Sequence, residues 1–176
     1  RDLHSFPTRR SSDLIGMTSE KNVAFCQSLG CYDEVITYDQ AQTLDKNEPI
    51  MIVDMAGNLS SMRDLHEHFQ DNVKYSCSVG ATHQANQKDF NVGNMNSFPG
   101  ATPTFFFAPT QAQKRTEEWG PGEVQKRIGL SLKDFQQFSD QWMQINRGRG
   151  FDVIETIFTK VVQGGISPNK GLILSV

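Results

Sequence analysis

Apolar residues in this chain fall into short blocks whose spacing switches between that of a strand and that of a helix. Ile15–Thr18 reads as the tail of a buried strand. Ser19 can cap a following helix through its hydroxyl, and Val23, Ala24, Cys26 and Leu29 give that helix an apolar side that Gly30 closes. Glu34–Tyr38 is rich in β-branched and aromatic residues and predicts a second strand. Ile50–Val53 is an unbroken apolar run, the pattern of a strand buried on both faces. Ser61 and Asp64 form a capping-box-like pair, and Met62, Leu65 and Phe69 recur at helical spacing. Val73–Val79 predicts another strand, ending at Gly80.

Ala81–Gly100 interrupts this rhythm. It is polar, with Asn86, Asn91, Asn94 and Asn96, and a loop of that length inside a domain is commonly functional. Pro103–Ala108 carries Phe105, Phe106 and Phe107 and predicts a strand, after which Thr110 can cap a short helix to Trp119. Pro121 suits the first position of a helix. From there Val124, Ile128, Leu132, Phe135, Phe138, Trp142 and Ile145 recur at spacings of three and four, a long amphipathic helix ended by Gly148 and Gly150. Phe151–Val162 predicts a further helix and Leu172–Val176 a terminal strand. Strands alternating with helices over short links predict an α/β fold. The expected form is a truncated Rossmann-like parallel sheet with flanking helices and a long C-terminal amphipathic helix.

Composition narrows the function classes. The chain has 17 Lys+Arg against 20 Asp+Glu, a formal charge of −3, and no basic run, which argues against nucleic acid as a partner. No apolar stretch approaches the ~20 residues of a membrane helix. Cys26, Cys31 and Cys77 are odd in number and lack framework spacing, so free thiols in a reducing cytoplasm are expected. Arg1–Leu14, RDLHSFPTRRSSDL, resembles, when back-translated, one reading frame of a sequencing-adapter oligonucleotide. It is expected to be non-native. The organisation read from the sequence is then 1–14 as an adapter-like segment, 15–150 as a truncated dinucleotide-binding domain, and 151–176 as a C-terminal helix and strand.

Open parallel sheets bind ligands beyond the carboxyl ends of their strands. Four such ends are named by the pattern: Thr18-Ser19, Tyr38-Asp39, Met55-Ala56-Gly57 and Val79-Gly80-Ala81-Thr82-His83. Gly57 and Gly80 would let a ligand approach the backbone, although ordinary turn glycines give the same pattern. His83 is the one candidate acid–base group at a strand end, although a histidine in a polar loop is more often a solvated bystander. His66 and His68 lie two apart on a helix and cannot chelate together. No zinc-ligand spacing is present, so no metal is expected.

The string IGMTSEKNVAFCQSLGCYDEVITYD resembles the second strand, helix and third strand of the cofactor domain of medium-chain dehydrogenase/reductase proteins. IVDMAGN, YSCSVGATH, PTFFFAP and EEWGP look closer to a domain-of-unknown-function branch of that superfamily related to quinone oxidoreductases. The resemblance implies a zinc-free oxidoreductase-like protein that, when intact, transfers hydride from NADPH to a small carbonyl, enone or quinone. It also implies that a glycine-rich phosphate turn and a substrate domain precede Ile15. Thr18, Ser19, Lys21 and Asn22 would favour the 2′-phosphate of NADP(H), with the Glu20 carboxylate as a complication; Ser19 as a cap and Lys21 as a solvated cation are the plainer roles. Tyr38 would flank the adenine, or be a half-buried strand aromatic. Met55, Ala56, Gly57, Val79, Gly80 and Ala81 would run past the ribose and nicotinamide. Phe106 would lie near the nicotinamide, on a strand that pairs between subunits in a homodimer, with Phe105 and Phe107 expected as core and sheet edge. The rival class is a non-catalytic nucleotide-binding or assembly module, because no convergent catalytic set stands out. A methyltransferase-like sheet holding an adenosyl cofactor fits the alternation but not the Thr18-Ser19 and Tyr38 strings.

Overall fold

The computed structural model describes residues 13–80 and 97–176. They form an α/β fold with parallel strand pairings in β3–β4–β5 and β6–β7. Among the described residues the strands lie in three sheets, β1–β2, β3–β4–β5 and β6–β7. β1 is Ile15–Thr18, β2 Glu34–Thr37, β3 Ile50–Asp54, β4 Val73–Ser78, β5 Thr104–Phe105, β6 Gln144–Arg149 and β7 Lys170–Ser175. The α-helices are α1 Val23–Ser28, α2 Leu59–Phe69, α3 Ala108–Trp119, α4 Glu123–Ser139 and α5 Phe151–Val162. Two compact units result, one of residues up to Val35 with Gln125–Val176, the other Ile36–Val124.

The second unit is built around β3–α2–β4. α2 carries Met62, Leu65, His66 and Phe69 at the spacing of one helix face, and all four are buried. His66 meets Ser76 of β4, and Ile52 and Val73 on the two strands are buried as well. The helix starts at Leu59 because the Asn58 side chain accepts the Ser61 N–H at 3.2 Å. Asn58, not the Ser61–Asp64 pair, is therefore the cap. β3 is not buried on both faces: Met51 and Val53 are exposed. Among the described residues it is an edge strand, with Ile52 on its buried face.

Three further expectations change. The Pro103–Ala108 strand shrinks to Thr104–Phe105, because α3 already starts at Ala108 with Phe107 as its N-cap and Pro109 in the first turn. Phe105 and Phe107 are exposed, not core. α4 starts at Glu123, after Pro121, and stops at Ser139, where the Ser139 carbonyl accepts both the Trp142 and Met143 N–H groups. Trp142 lies in the turn, its ring 5.5 Å from Phe25 and 6.0 Å from Phe138. Ile145 belongs to β6, paired in unbroken register with β7 from Gln144↔Lys170 to Arg149↔Ser175. Gly148 lies inside that strand and ends no helix; a Cβ there would meet Val153 and Leu174. α5 keeps the predicted bounds.

Candidate functional site

In the second unit, β3 and β4 end side by side, with Asp54 opposite Ser78 in the parallel register. Asp54 organises the turns that leave both strands. Its Oδ1 accepts the Ala56 N–H at 3.0 Å and the Gly57 N–H at 2.9 Å, an Asx turn. Its backbone carbonyl accepts the Val79 N–H at 2.8 Å and the Gly80 N–H at 3.4 Å. Gly57 has φ +73°, a conformation that suits glycine. A Cβ on Gly80 would stand 2.3 Å from the Met55 carbonyl oxygen. Both glycines thus answer to the chain's own backbone.

The outcome is a pair of turns packed against each other beyond two parallel strands. Met55 is 64% exposed on the rim, while Ala56, Val79 and Gly80 are more enclosed. Beneath the rim, Asp54 Oδ2 and Ser78 Oγ are buried and have no hydrogen-bond partner among the described residues. Ser78 as a whole is 1% exposed. Phe106 extends the arrangement from β5: its N–H donates to the Ser78 carbonyl at 2.8 Å. Ala81 and His83 lie outside the described residues, as does most of the polar loop.

Tyr38 is half-buried and opens the 3-10 turn Tyr38–Thr43 instead of closing β2. The Thr37 side chain accepts the Gln40 N–H and Gln40 Oε1 accepts the Thr37 N–H, so the strand is stopped by a capping box. Asp39, next in line, sits below its ordinary value because the Thr37 hydroxyl donates to it, with its own backbone N–H adding to the effect.

In the other unit, Thr18 is half-buried where β1 ends, and Ser19 comes next in the chain. Ser19 precedes the 3-10 turn Glu20–Asn22 but makes no capping bond through its side chain. The Asn22 N–H donates to the Ser19 carbonyl at 2.8 Å. Lys21 is not simply solvated: its Nζ donates to the Gly164 carbonyl at 3.3 Å. In the same unit, burial raises the Tyr32 phenol above its ordinary value, with Cys31 and then Cys26 adding charge repulsion. Cys26, Cys31 and Cys77 form no disulfide among the described residues.

Two histidines are committed to internal bonds. His66 is fully buried, its Nδ1 2.7 Å from the Pro99 carbonyl oxygen and its Nε2 2.9 Å from Ser76 Oγ. A carbonyl can only accept, so Nδ1–H donates and the serine hydroxyl meets Nε2. His68 Nε2 lies 2.9 Å from the Leu44 carbonyl and donates to it. Reading the sequence alone misses the role of Asp54 and the buried bonds of His66. An aspartate at a strand end with a glycine three residues on signals an Asx turn, and His66 sits on the Met62–Phe69 stripe. Both signals are therefore present in the sequence.

Among the described residues no cluster of His, Cys, Asp and Glu is placed to hold a metal ion, and no helix is long and apolar enough to cross a membrane. A shallow depression of about 240 Å³ lies along α5, lined by Asp152, Val153, Thr156 and Ile157. It includes none of the residues picked out from the sequence.

A family model described as "protein of unknown function (DUF2855)" matches residues 3–167. The chain belongs to this family. The match starts inside Arg1–Leu14, so it does not set that stretch apart from the rest of the DUF2855 region. The family's description assigns no activity, cofactor or substrate. No curated protein and no solved structure matches the chain.

Proposed function

We propose that this chain is the cofactor part of a zinc-free, NADPH-dependent reductase-like protein of the medium-chain dehydrogenase/reductase type. When intact, it would transfer hydride to a small carbonyl, enone or quinone. The observation that carries the reading is the pair of turns, Met55–Gly57 and Val79–Gly80, joined through Asp54 beyond two parallel strands. That is where open parallel sheets take nucleotides. The resemblance of IVDMAGN and YSCSVGATH supports it on the same residues. The cofactor would supply the hydride. The chain's own residues would orient it and keep water from one face.

NADPH is preferred to NADH on the residue types at Thr18, Ser19, Lys21 and Asn22. The exposed phenylalanines around β5 support the expected homodimer, since an apolar edge strand of this kind favours pairing with a second copy.

The test is titration of the intact protein with NADPH and with NADH, followed by NADPH oxidation in the presence of enones and quinones. Tighter binding of NADPH and oxidation stimulated by an acceptor are expected. Failure to bind either nucleotide sinks the reading.

A second reading, a nucleotide-binding or assembly module without turnover, is favoured by one observation. His66 and His68 are both committed to internal bonds, so neither is poised as an acid–base group. Binding without turnover across the acceptor panel would select it.

A further inference from the structure

We infer that Asp54 is the positioning residue of the β3–β4 crevice: its carboxylate and carbonyl together hold both turns at the spacing a bound dinucleotide requires. The inference rests on the reading of this crevice as a cofactor site. Four backbone N–H groups converge on this one residue, those of Ala56 and Gly57 on Oδ1 and those of Val79 and Gly80 on the carbonyl. The Met55 carbonyl packs against Gly80 so closely that a Cβ would not fit, so a shift of one turn is transmitted to the other.

The second carboxylate oxygen argues that stability alone does not account for this residue. Oδ2 is buried without a partner among the described residues, and so is Oγ of Ser78, its register neighbour. Side chains of register partners lie on the same face of a sheet. An unmet buried polar atom is destabilising, and more so if it is charged. Unmet groups of this kind at the ligand end of a parallel sheet mark functional sites more than packing sites.

The role assigned is positional, so the bond-accepting oxygen matters and the charge does not. Asp54→Asn keeps an oxygen at Oδ1; Asp54→Ala removes it. Two readouts are needed on the intact protein: amide hydrogen exchange at residues 56, 57, 79 and 80, and the affinity for NADPH by calorimetric titration. Exchange at Val73 and Cys77, in the body of β4, reports whether each variant is folded.

For Asp54→Ala we expect faster exchange at residues 56 and 57 and at least tenfold weaker NADPH binding, with β4 still protected. Asp54→Asn should restore both readouts to within about threefold of the parent. Unchanged exchange in Asp54→Ala overturns the positioning role. Loosened turns with unchanged NADPH affinity overturn its link to the site. An Asn variant with protected turns but weak binding also overturns it, because the carboxylate would then act on the ligand directly. If the parent protein binds no dinucleotide, the cofactor reading fails and the link to a dinucleotide with it, while the exchange data separately decide whether Asp54 holds the turns.

Discussion

Two βαβ segments of this chain have the same connectivity and opposite burial. In β3–α2–β4 one face of an amphipathic helix meets one face of the strands, and Met62, His66, Phe69, Val73, Ser76 and Ser78 are all at or below 2% exposure. In β6–α5–β7 the strands pair in perfect register, yet Phe151 and Phe158 of the helix are 76% and 66% exposed. The difference lies in the helices. α2 has a polar side, so covering one face satisfies it. α5 also has a polar side, with Asp152, Glu155, Thr156, Thr159 and Lys160, but its apolar arc is wider than that of α2, and only Ile154 and Ile157 on it are half-buried. Secondary structure is thus set locally in both segments, whereas burial depends on whether the apolar arc matches the surface offered to it.

The largest expected contrast is between phenylalanines. Phe69→Ala removes a ring that is 2% exposed and should cost about 3–5 kcal/mol, through lost burial and the cavity left behind. Phe158→Ala removes a ring already in contact with water and should change stability by about 0.5 kcal/mol or less. Urea unfolding of both variants checks this. Equal losses would mean that α5 is covered in solution, and the contrast between the segments would collapse.

A buried polar link sharpens the same comparison. His66→Leu leaves the Pro99 carbonyl and the Ser76 hydroxyl without their partner and should cost about 1–3 kcal/mol for each unmet group. Ser76→Ala alone should cost less, since the imidazole keeps its bond to Pro99. If the two single variants and the double variant add without coupling, the His66–Ser76 bond contributes nothing and the core of this segment is held by apolar contact alone.

How far the sequence foretells these elements depends on the same physics. α5 and the body of α2 are legible because their apolar residues repeat at helical spacing over three turns. β6 is not: Gln144–Arg149 is QINRGR, largely exposed, with no alternation strong enough to separate it from the helix before it. Trp142 and Ile145 continue the helical spacing by accident of the turn at Ser139. At the candidate site the strand ends and Gly57 and Gly80 are legible, but their reason is not. Spacing cannot show that Gly80 is pressed against the Met55 carbonyl, because that contact joins two strands distant in sequence. The same holds for the unmet atoms of Asp54 and Ser78.

Glycine substitutions compare backbone crowding with side-chain crowding in the two segments. Gly80→Ala places a Cβ 2.3 Å from a carbonyl oxygen just beyond the end of β3, so the backbone must move, at about 1–3 kcal/mol. Gly148→Ala meets side-chain methyls of Val153 and Leu174 at 2.7 Å and 3.0 Å instead of backbone; the Leu174 tip can rotate away and Val153 must shift slightly, so the cost should be about 1 kcal/mol, below that of Gly80→Ala. Gly80→Ala should also weaken NADPH binding if the crevice is the cofactor site, whereas Gly148→Ala should leave it unchanged. Thermal unfolding and titration of the two variants separate these outcomes.

The smallest effects expected are in titration, and they have opposite signs in the two compact units. Tyr32 lies above its ordinary value of 10.0, first through burial and then through Cys31 and Cys26. In the pH range between the unfolded and folded values, the folded chain holds the proton that the unfolded chain has lost. The contribution to stability is therefore present below the unfolded value and is lost as pH rises through the folded one. Asp39 lies below 3.8 because the Thr37 hydroxyl and its own N–H donate to the carboxylate. Its contribution is present above the unfolded value and is lost as pH falls through the folded one. Replacing Cys26 and Cys31 with serine should bring the Tyr32 midpoint only part of the way down, read from phenolate absorbance, since burial remains the larger cause. Thr37→Val should raise the Asp39 midpoint, read from the side-chain carboxyl by NMR. A Tyr32 midpoint that falls the whole way to its ordinary value in the serine variant would reverse the order of causes and make the thiols, not burial, the main influence on that phenol.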